Sequence, residues 1–509
     1  MSEWQGPHGD LEEQTFGSLR ASMAGGSLTS RALVEAYLER IAALNTSGPM
    51  LRAVIEVNPD ALTIAEALDR ERAAHGPRGP LHGIPILLKD NIDTADRMET
   101  TAGSLALVGV KRAQDAFVAA RLRAAGAVLL GKANMSEWAN FRSTHSSSGW
   151  SARGGQALNP YALDRTPCGS SSGSATAVAA NLCAASIGTE TDGSILCPAS
   201  INGVVGIKPT VGLTSRAGVI PISHSQDTVG PFARTVEDAA ILLGVLEDVD
   251  PRDPATQVNP RQTFLNYIQY LNADALRGAR IGIPREVHTG FSEKTDAVFG
   301  SVIETLQSLG AVLVDPANLP SAKEMRTSEA ELAVLLYEFK ADLNAYLAAL
   351  GPDAQAHSLE ELIAFNREHA AQEMPFFGQE LFEMAQEKGP LTDEEYLMAR
   401  AECLRLARDE GIDAVMREHN LDALCMPTGE PAWKIDLIDG DHSMGGASQP
   451  AAMAGYPAIS VPAGYTFGLP LGVTFMGLAF TEPKLIGFAY AFEQATKARR
   501  APTYPAHVP

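Results

Sequence analysis

The chain has 509 residues, of which 45% are hydrophobic and 20% charged. That apolar content supports a large buried core, and the charge content is too ordinary for a disordered chain. With 61 acidic residues against 40 basic ones the formal net charge is −21, a surface that repels nucleic acid and anionic membranes.

The start, Met1-Ser2-Glu3-Trp4-Gln5-Gly6, is polar and acidic and lacks the apolar run of a secretory leader, so a cytoplasmic location is expected. No window approaches the ~18 to 20 apolar residues of a membrane-spanning helix. Residues from about Leu11 to Ala74 read as helical. Ser30 to Ile41 carries apolar residues at helical spacing, entered through Thr29 or Ser30 as N-cap. A Gly- and Pro-rich loop follows at Gly76 to Pro80, and Ile84 to Leu88 reads as a short buried strand. Asp115 to Ala125 reads as a helix and Ala127 to Gly131 as a strand, which together suggest an α/β unit.

Ser174 to Leu182 is small and apolar, the pattern of a closely packed helix. Residues 290–415 read as mostly helical, most clearly at Glu329 to Leu350 and Asp393 to Glu410. Strands return at Ala423 to Pro427, Ala458 to Pro462 and Gly472 to Met476, and a last helix covers about Lys484 to Lys497. No repeat and no long linker divides the chain. The expected fold is a single large α/β domain over 1–509, with a central mixed sheet covered by helices. Within it, a helical N-terminal region spans about 10–75, core motifs about 79–240 and a helical, substrate-side region about 290–415. Strands and a helix at about 420–500 close the same sheet.

Cys168, Cys183, Cys197, Cys403 and Cys425 form no CxxC pair and no even framework, so free thiols in a reducing compartment are expected. His82, His145 and His224 show no ligand spacing, and neither a metal nor an organic cofactor is expected.

Three patterns compete for the chemistry. Gly126 to Ala133 matches GxxxxGK but ends in alanine, with no hydroxyl for Mg²⁺, and its middle is an apolar strand rather than a phosphate loop. Gly169-Ser170-Ser171-Ser172-Gly173 satisfies GxSxG, yet Asp164 to Cys168 before it is no buried strand, as a nucleophile elbow requires. The third pattern joins that loop to Gly193-Ser194 and to Lys89. A serine hydroxyl needs a base, and a lysine serves if burial keeps it neutral. Lys89 ends the buried run Ile84 to Leu88, while Asp90 would point to the opposite face. A glycine before Ser194 lets backbone N–H groups turn inward as an oxyanion hole. Singly, each has a plain reading: a strand-end lysine, a tight turn, a capping serine.

In combination these residues resemble the amidase signature family. The resemblance rests on Lys89, on Gly169 to Ala175, on Gly188-Thr189-Glu190-Thr191-Asp192-Gly193-Ser194-Ile195 and on Gly203 to Thr210. It extends through Ser225 to Pro231, Ala454 to Pro457 and Gly468 to Gly472. Within the family, Ser136 to Arg142, Gly149 to Gly155 and Tyr337 to Lys340 are similar to the bacterial peptide-amidase branch.

The resemblance implies a Ser-cisSer-Lys triad with Ser194 as nucleophile, Ser170 as bridging serine and Lys89 as base. It also implies an oxyanion loop from the amides of Thr191, Asp192, Gly193 and Ser194, with Ser171 in support. Trp138, Phe141, Trp150 and Gln226 become pocket candidates, although core packing accounts equally well for the aromatics. Two departures stand out: Asp192 replaces a glycine beside the oxyanion loop, and Leu196 replaces an arginine. The expected activity is hydrolysis of carboxamides, C-terminal peptide amides or amino-acid amides foremost, through an acyl-enzyme on Ser194. The expected partners are small-molecule or peptide amides, with no nucleic acid and no membrane. The alternatives are a general aliphatic or aryl acylamidase, a non-catalytic binding homologue and a nucleotide-binding protein.

Overall fold

The structure, a computed structural model, describes residues 7–258 and 266–508. The start at Met1 to Gly6, on which the reading of a leaderless chain rests, lies outside the described residues. No helix among the described residues is long and apolar enough to cross a membrane.

Among the described residues, eleven strands form one mixed sheet: β1 (Val54–Val57), β2 (Pro85–Lys89), β3 (Val128–Ala133), β4 (Ala185–Glu190), β5 (Val205–Lys208), β6 (Thr228–Ala233), β7 (Arg280–Gly282), β8 (Val312–Val314), β9 (Ala423–Pro427), β10 (Ala458–Thr466) and β11 (Leu469–Met476). Their order across the sheet is β1-β3-β2-β4-β6-β5-β10-β11-β9-β7-β8. Strands β2, β3 and β4 run parallel, and β6, β5, β10, β11 and β9 alternate in direction. The pairing of β5 with β10 joins the two halves of the chain into a single α/β layer. Helices cover the sheet; the one at Ser30–Leu44 opens where the Thr29 hydroxyl accepts the Ala32 N–H at 3.0 Å.

Strands β2, β3, β4, β5 and β6 are buried along their whole length, so they read as continuous apolar or small-residue runs rather than alternating ones. The stretch read as helical from Leu11 to Ala74 is interrupted by β1. With four residues pairing only with β3, β1 carries too short a pattern to break the helical periodicity on either side. Likewise β8 interrupts the helical stretch 290–415.

The helix Ser172–Ala179 is buried at every residue. Its small side chains let the backbone approach the sheet closely: a Cβ on Gly173 would lie 2.2 Å from the Ala53 carbonyl oxygen.

One expectation fails. Cys168 and Cys197 form a disulfide, and only Cys183, Cys403 and Cys425 are free among the described residues. The two cysteines are 29 residues apart and fit no sequence motif. They meet because the loop before Ser170 packs beside the helix Leu196–Ile201.

Candidate active site

Strands β2 and β4 are parallel neighbours, so their chains leave the sheet at the same edge. That places Lys89, the last residue of β2, beside the loop that follows Glu190, the last residue of β4. Lys89 is fully buried. Its Nζ donates to Ser170 Oγ at 2.7 Å, to Thr189 Oγ1 at 2.8 Å and to the Thr189 carbonyl at 3.2 Å. Burial pulls its pKa down to about 7, against the opposing charges of Asp227 and Glu190. A neutral amine within hydrogen-bond reach of the Ser170 hydroxyl is therefore accessible near pH 7.

The Ser170 hydroxyl donates onward to Ser194 Oγ at 2.9 Å. The Gly169–Ser170 peptide bond is cis. Asp90 does point away from this row: its carboxylate accepts from the Thr101 hydroxyl, the Gly103 N–H and Arg153. Ser171 Oγ donates to the Thr189 carbonyl at 3.0 Å and Ser171 N–H to the Ser194 carbonyl at 3.3 Å, so it braces both loops from outside the row.

The 191–194 loop is held from two sides. Glu190 Oε2 accepts the N–H groups of Ile195 at 2.6 Å and Leu196 at 2.9 Å, pinning the turn just after Ser194. Burial raises the Glu190 pKa, and Lys208 and those N–H groups oppose the rise. On the other side Thr191 Oγ1 donates to Asp227 at 2.6 Å, and Asp227 accepts the N–H groups of Ile222 and Ser223. Burial lifts Asp227 to about 6. Gly193 has φ of +77°, a conformation that costs an L-residue energy. Among the described residues, the N–H groups of Asp192, Gly193 and Ser194 donate to no protein acceptor. Free amides beside a hydroxyl suit a developing oxyanion.

A cleft of about 440 Å³ opens over this loop, lined by Gly169, Asp192, Gly193, Leu196 and Cys197 on one side and by His288, Trp433 and Gln449 among others. Ser194 is 7% exposed, and Ser170 and Lys89 lie beneath it at 0%. The pocket candidates sit elsewhere. Trp138 and Phe141 pack edge-on against Phe382 and Phe339, and Trp150 against Phe377, in a buried cluster. Gln226 is buried and donates to Glu331 at 2.9 Å.

Several residues that sequence reasoning passed over hold the site together: Thr189, Glu190, Asp227 and Glu331. The first three lie inside the stretches that carried the resemblance, but their side-chain roles depend on which neighbours the fold brings. The lysine of the phosphate-loop pattern, Lys132, is buried in β3 and bonds the Ile92 carbonyl and the Thr100 hydroxyl. His224, which has no ligand spacing in sequence, stands with Glu338 and Asp342 of a distant helix. Its Nδ1 is 2.8 Å from Asp342, and that bond, with Glu338 close by, raises its pKa. Glu338 is further occupied by Ser223, Ser225 and Tyr396, so the group reads as an ion-pair staple between a loop and a helix.

A model of the family described as Amidase matches residues 32–486. A protein of Arabidopsis thaliana described as a probable amidase is 46% identical over 503 residues, covering 97% of this chain and 92% of its own. The crystal structure of a peptide amidase in complex with the competitive inhibitor chymostatin superposes with a TM-score of 0.93 at 53% identity, over 97% of this chain and 99% of that one. Native peptide amidase from Stenotrophomonas maltophilia superposes with a TM-score of 0.91 at 52% identity, over 96% and 98% of the two chains.

Proposed function

Since the chain belongs to the amidase signature family, we propose that it is a serine amidase acting on C-terminal carboxamides of peptides or on amino-acid amides, releasing the free acid and ammonia. The observation that carries the chemistry is the row Lys89–Ser170–Ser194, hydrogen-bonded at 2.7 and 2.9 Å under the floor of the cleft. The likeness to solved peptide amidases supports the choice of substrate.

In this reading neutral Lys89 takes a proton from Ser170 as Ser170 takes one from Ser194. Ser194 Oγ bonds to the amide carbon, and the carbonyl electrons move onto oxygen. The resulting anion is stabilised by the amides of Thr191, Asp192, Gly193 and Ser194. As the tetrahedral adduct collapses, the proton returns through Ser170 to the nitrogen and ammonia leaves. Water then attacks the acyl-enzyme, giving its proton to the same relay, and Ser194 is released with the free acid. Low exposure of Lys89 serves this cycle directly, because a solvated lysine would stay protonated at neutral pH.

The test is ammonia release from a short C-terminally amidated peptide, asparagine and glutamine, with an anilide alongside followed by its released aniline. Release confined to the peptide amide, and lost in Ser194→Ala, is the expected result. Anilide turnover without peptide-amide turnover would keep the chemistry and overturn the substrate. Unaltered turnover in Ser194→Ala would overturn the mechanism.

A further inference from the structure

The two loops that carry the proton relay are tied by a covalent link that the relay itself does not use. Cys168 stands two residues before Ser170, and Cys197 three residues after Ser194. Their disulfide joins the loop of the bridging serine to the helix that follows the nucleophile. Both cysteines line the cleft. Cys168 is 6% exposed and Cys197 is half-buried. The free cysteines Cys183, Cys403 and Cys425 are buried, and none of them lines the cleft.

The link sits where small displacements matter. Cys168 has φ of +55°, a left-handed conformation that costs an L-residue energy and persists only where its surroundings impose it. The Cys197 N–H donates to the Gly193 carbonyl at 2.9 Å, so the other half of the bridge is anchored to the loop that presents Ser194. Opening the bridge frees Cys168 to relax, and Ser170, two residues on, moves with it. The contact at stake is the 2.9 Å hydrogen bond from Ser170 to Ser194. A misplacement of about 1 Å at such a contact costs on the order of 10²-fold in rate.

Opening does not have to unfold the site. The Asn202 side-chain amide donates to the Pro167 carbonyl at 2.9 Å and to the Pro198 carbonyl at 2.8 Å, a second tie between the same two segments. Ser172 Oγ donates to the Cys168 carbonyl at 2.6 Å. These contacts keep the two thiols neighbours. The Cα atoms of the bridged pair are 6.1 Å apart, a separation from which the bond re-forms without backbone movement.

We propose that the Cys168–Cys197 bridge is a thiol-exchange site: a low-molecular-weight thiol entering the cleft opens it, and amide hydrolysis falls until it closes again. The effect on turnover rests on the amidase reading above, whereas the exchange itself does not. The thiolate attacks the sulfur of Cys197, the more exposed of the two residues. The bond between the protein sulfurs breaks, and its electron pair leaves on Cys168 Sγ, which takes up a proton. The reagent then hangs from Cys197 in the cleft as a mixed disulfide. A second thiolate attacks the reagent's sulfur and releases the Cys197 thiolate, which is protonated in turn. In total two small thiols are oxidised to one small disulfide, and the protein bridge is reduced to two thiols.

The experiment treats the folded parent with dithiothreitol, a dithiol that leaves no adduct, and separately with 2-mercaptoethanol, a monothiol that leaves one. Ammonia release is measured on each sample, and peptide mapping follows alkylation without denaturant. Alkylation should label Cys168 and Cys197 and spare the buried Cys183, Cys403 and Cys425, with circular dichroism unchanged. After dithiothreitol, kcat should fall by about tenfold or more while KM stays within about twofold. The 2-mercaptoethanol adduct on Cys197 should raise KM as well, and reoxidation free of thiol should restore both constants. Cys168→Ser/Cys197→Ser should respond to neither thiol. Full activity with the bridge mapped as open would overturn the coupling to turnover. A bridge that opens only in denaturant would overturn the exchange site. Equal loss of activity in the double variant would place the thiol's action elsewhere and overturn the proposal. If that variant does not fold, activity that fails to return once mapping shows the bridge closed does the same. A parent silent on every amide removes the amidase reading, and the alkylation pattern alone then decides the exchange site.

Discussion

Lys89 reaches Ser194 only through Ser170: its Nζ lies 2.7 Å from the Ser170 hydroxyl, and that hydroxyl lies 2.9 Å from Ser194 Oγ. A relay of this kind has no redundant member. Replacing any of the three by a residue that cannot pass a proton should cost about 10³-fold or more in kcat. Ser170→Ala and Lys89→Met are therefore expected to match Ser194→Ala to within about tenfold, with the double variant Lys89→Met/Ser170→Ala little worse than either. Ser171→Ala, which removes only a brace, should lose less. Steady-state ammonia release measures all of these, and additive losses would argue against a single relay.

The pH profile follows from the same lysine. The base must be unprotonated, and burial holds Lys89 at about 7. Thus kcat/KM should rise with pH below about 7 and level off above it. Asp227 opposes the downward shift, so Asp227→Asn is expected to move the limb to lower pH. A limb that stays in place or moves upward would show that Lys89 does not set it.

Glu190 carries the turn after Ser194 on one carboxylate oxygen. In Glu190→Ala the N–H groups of Ile195 and Leu196 lose their acceptor inside the protein. Each orphaned buried donor costs about 1–3 kcal/mol. Denaturant unfolding should show a loss of about 2–6 kcal/mol, and kcat should fall with it because the free amides of the loop lose their alignment. Unchanged stability would mean that water replaces the carboxylate.

Disulfide formation makes a prediction that mass spectrometry can read. Alkylating the denatured, unreduced protein should label three cysteines, Cys183, Cys403 and Cys425, and reduction should add Cys168 and Cys197. Closing a loop of 29 residues stabilises a chain by about 3–4 kcal/mol in the loop-entropy picture. The double variant Cys168→Ser/Cys197→Ser should lose about that much in denaturant unfolding. Five labelled cysteines before reduction would rule the bridge out.

Much of this architecture was legible in the sequence, for a physical reason. The buried strands β2, β3 and β9 announce themselves as apolar runs, and the helix after the serine loop as a small-residue run. Lys89, Ser170 and Ser194 each sit where local chemistry already pointed, at a strand end or in a Gly-Ser loop. What was hidden is whatever long-range contact creates. β1 is too short to interrupt a helical pattern. Glu190 reads as an ordinary strand-end acid until the chain turns back on it. Cys168 and Cys197 are unremarkable until a loop and a helix are laid side by side. The aromatic candidates carried a helpful ambiguity, since Trp138, Phe141 and Trp150 pack among other aromatics rather than line the cleft.

The pairing of β5 with β10 also sets a clock for the ribosome. These strands are neighbours in the sheet but are separated by about 250 residues of chain. At roughly 5–20 residues per second, β5 waits some tens of seconds for its partner strand to be made. Throughout that interval the nascent sheet presents a bare edge, able to capture any passing strand. The relay residues have all been synthesised by then, while one wall of their cleft, from Thr428 to Pro450, has not. Biogenesis of this protein thus depends on something covering that edge until the last tenth of the polypeptide emerges.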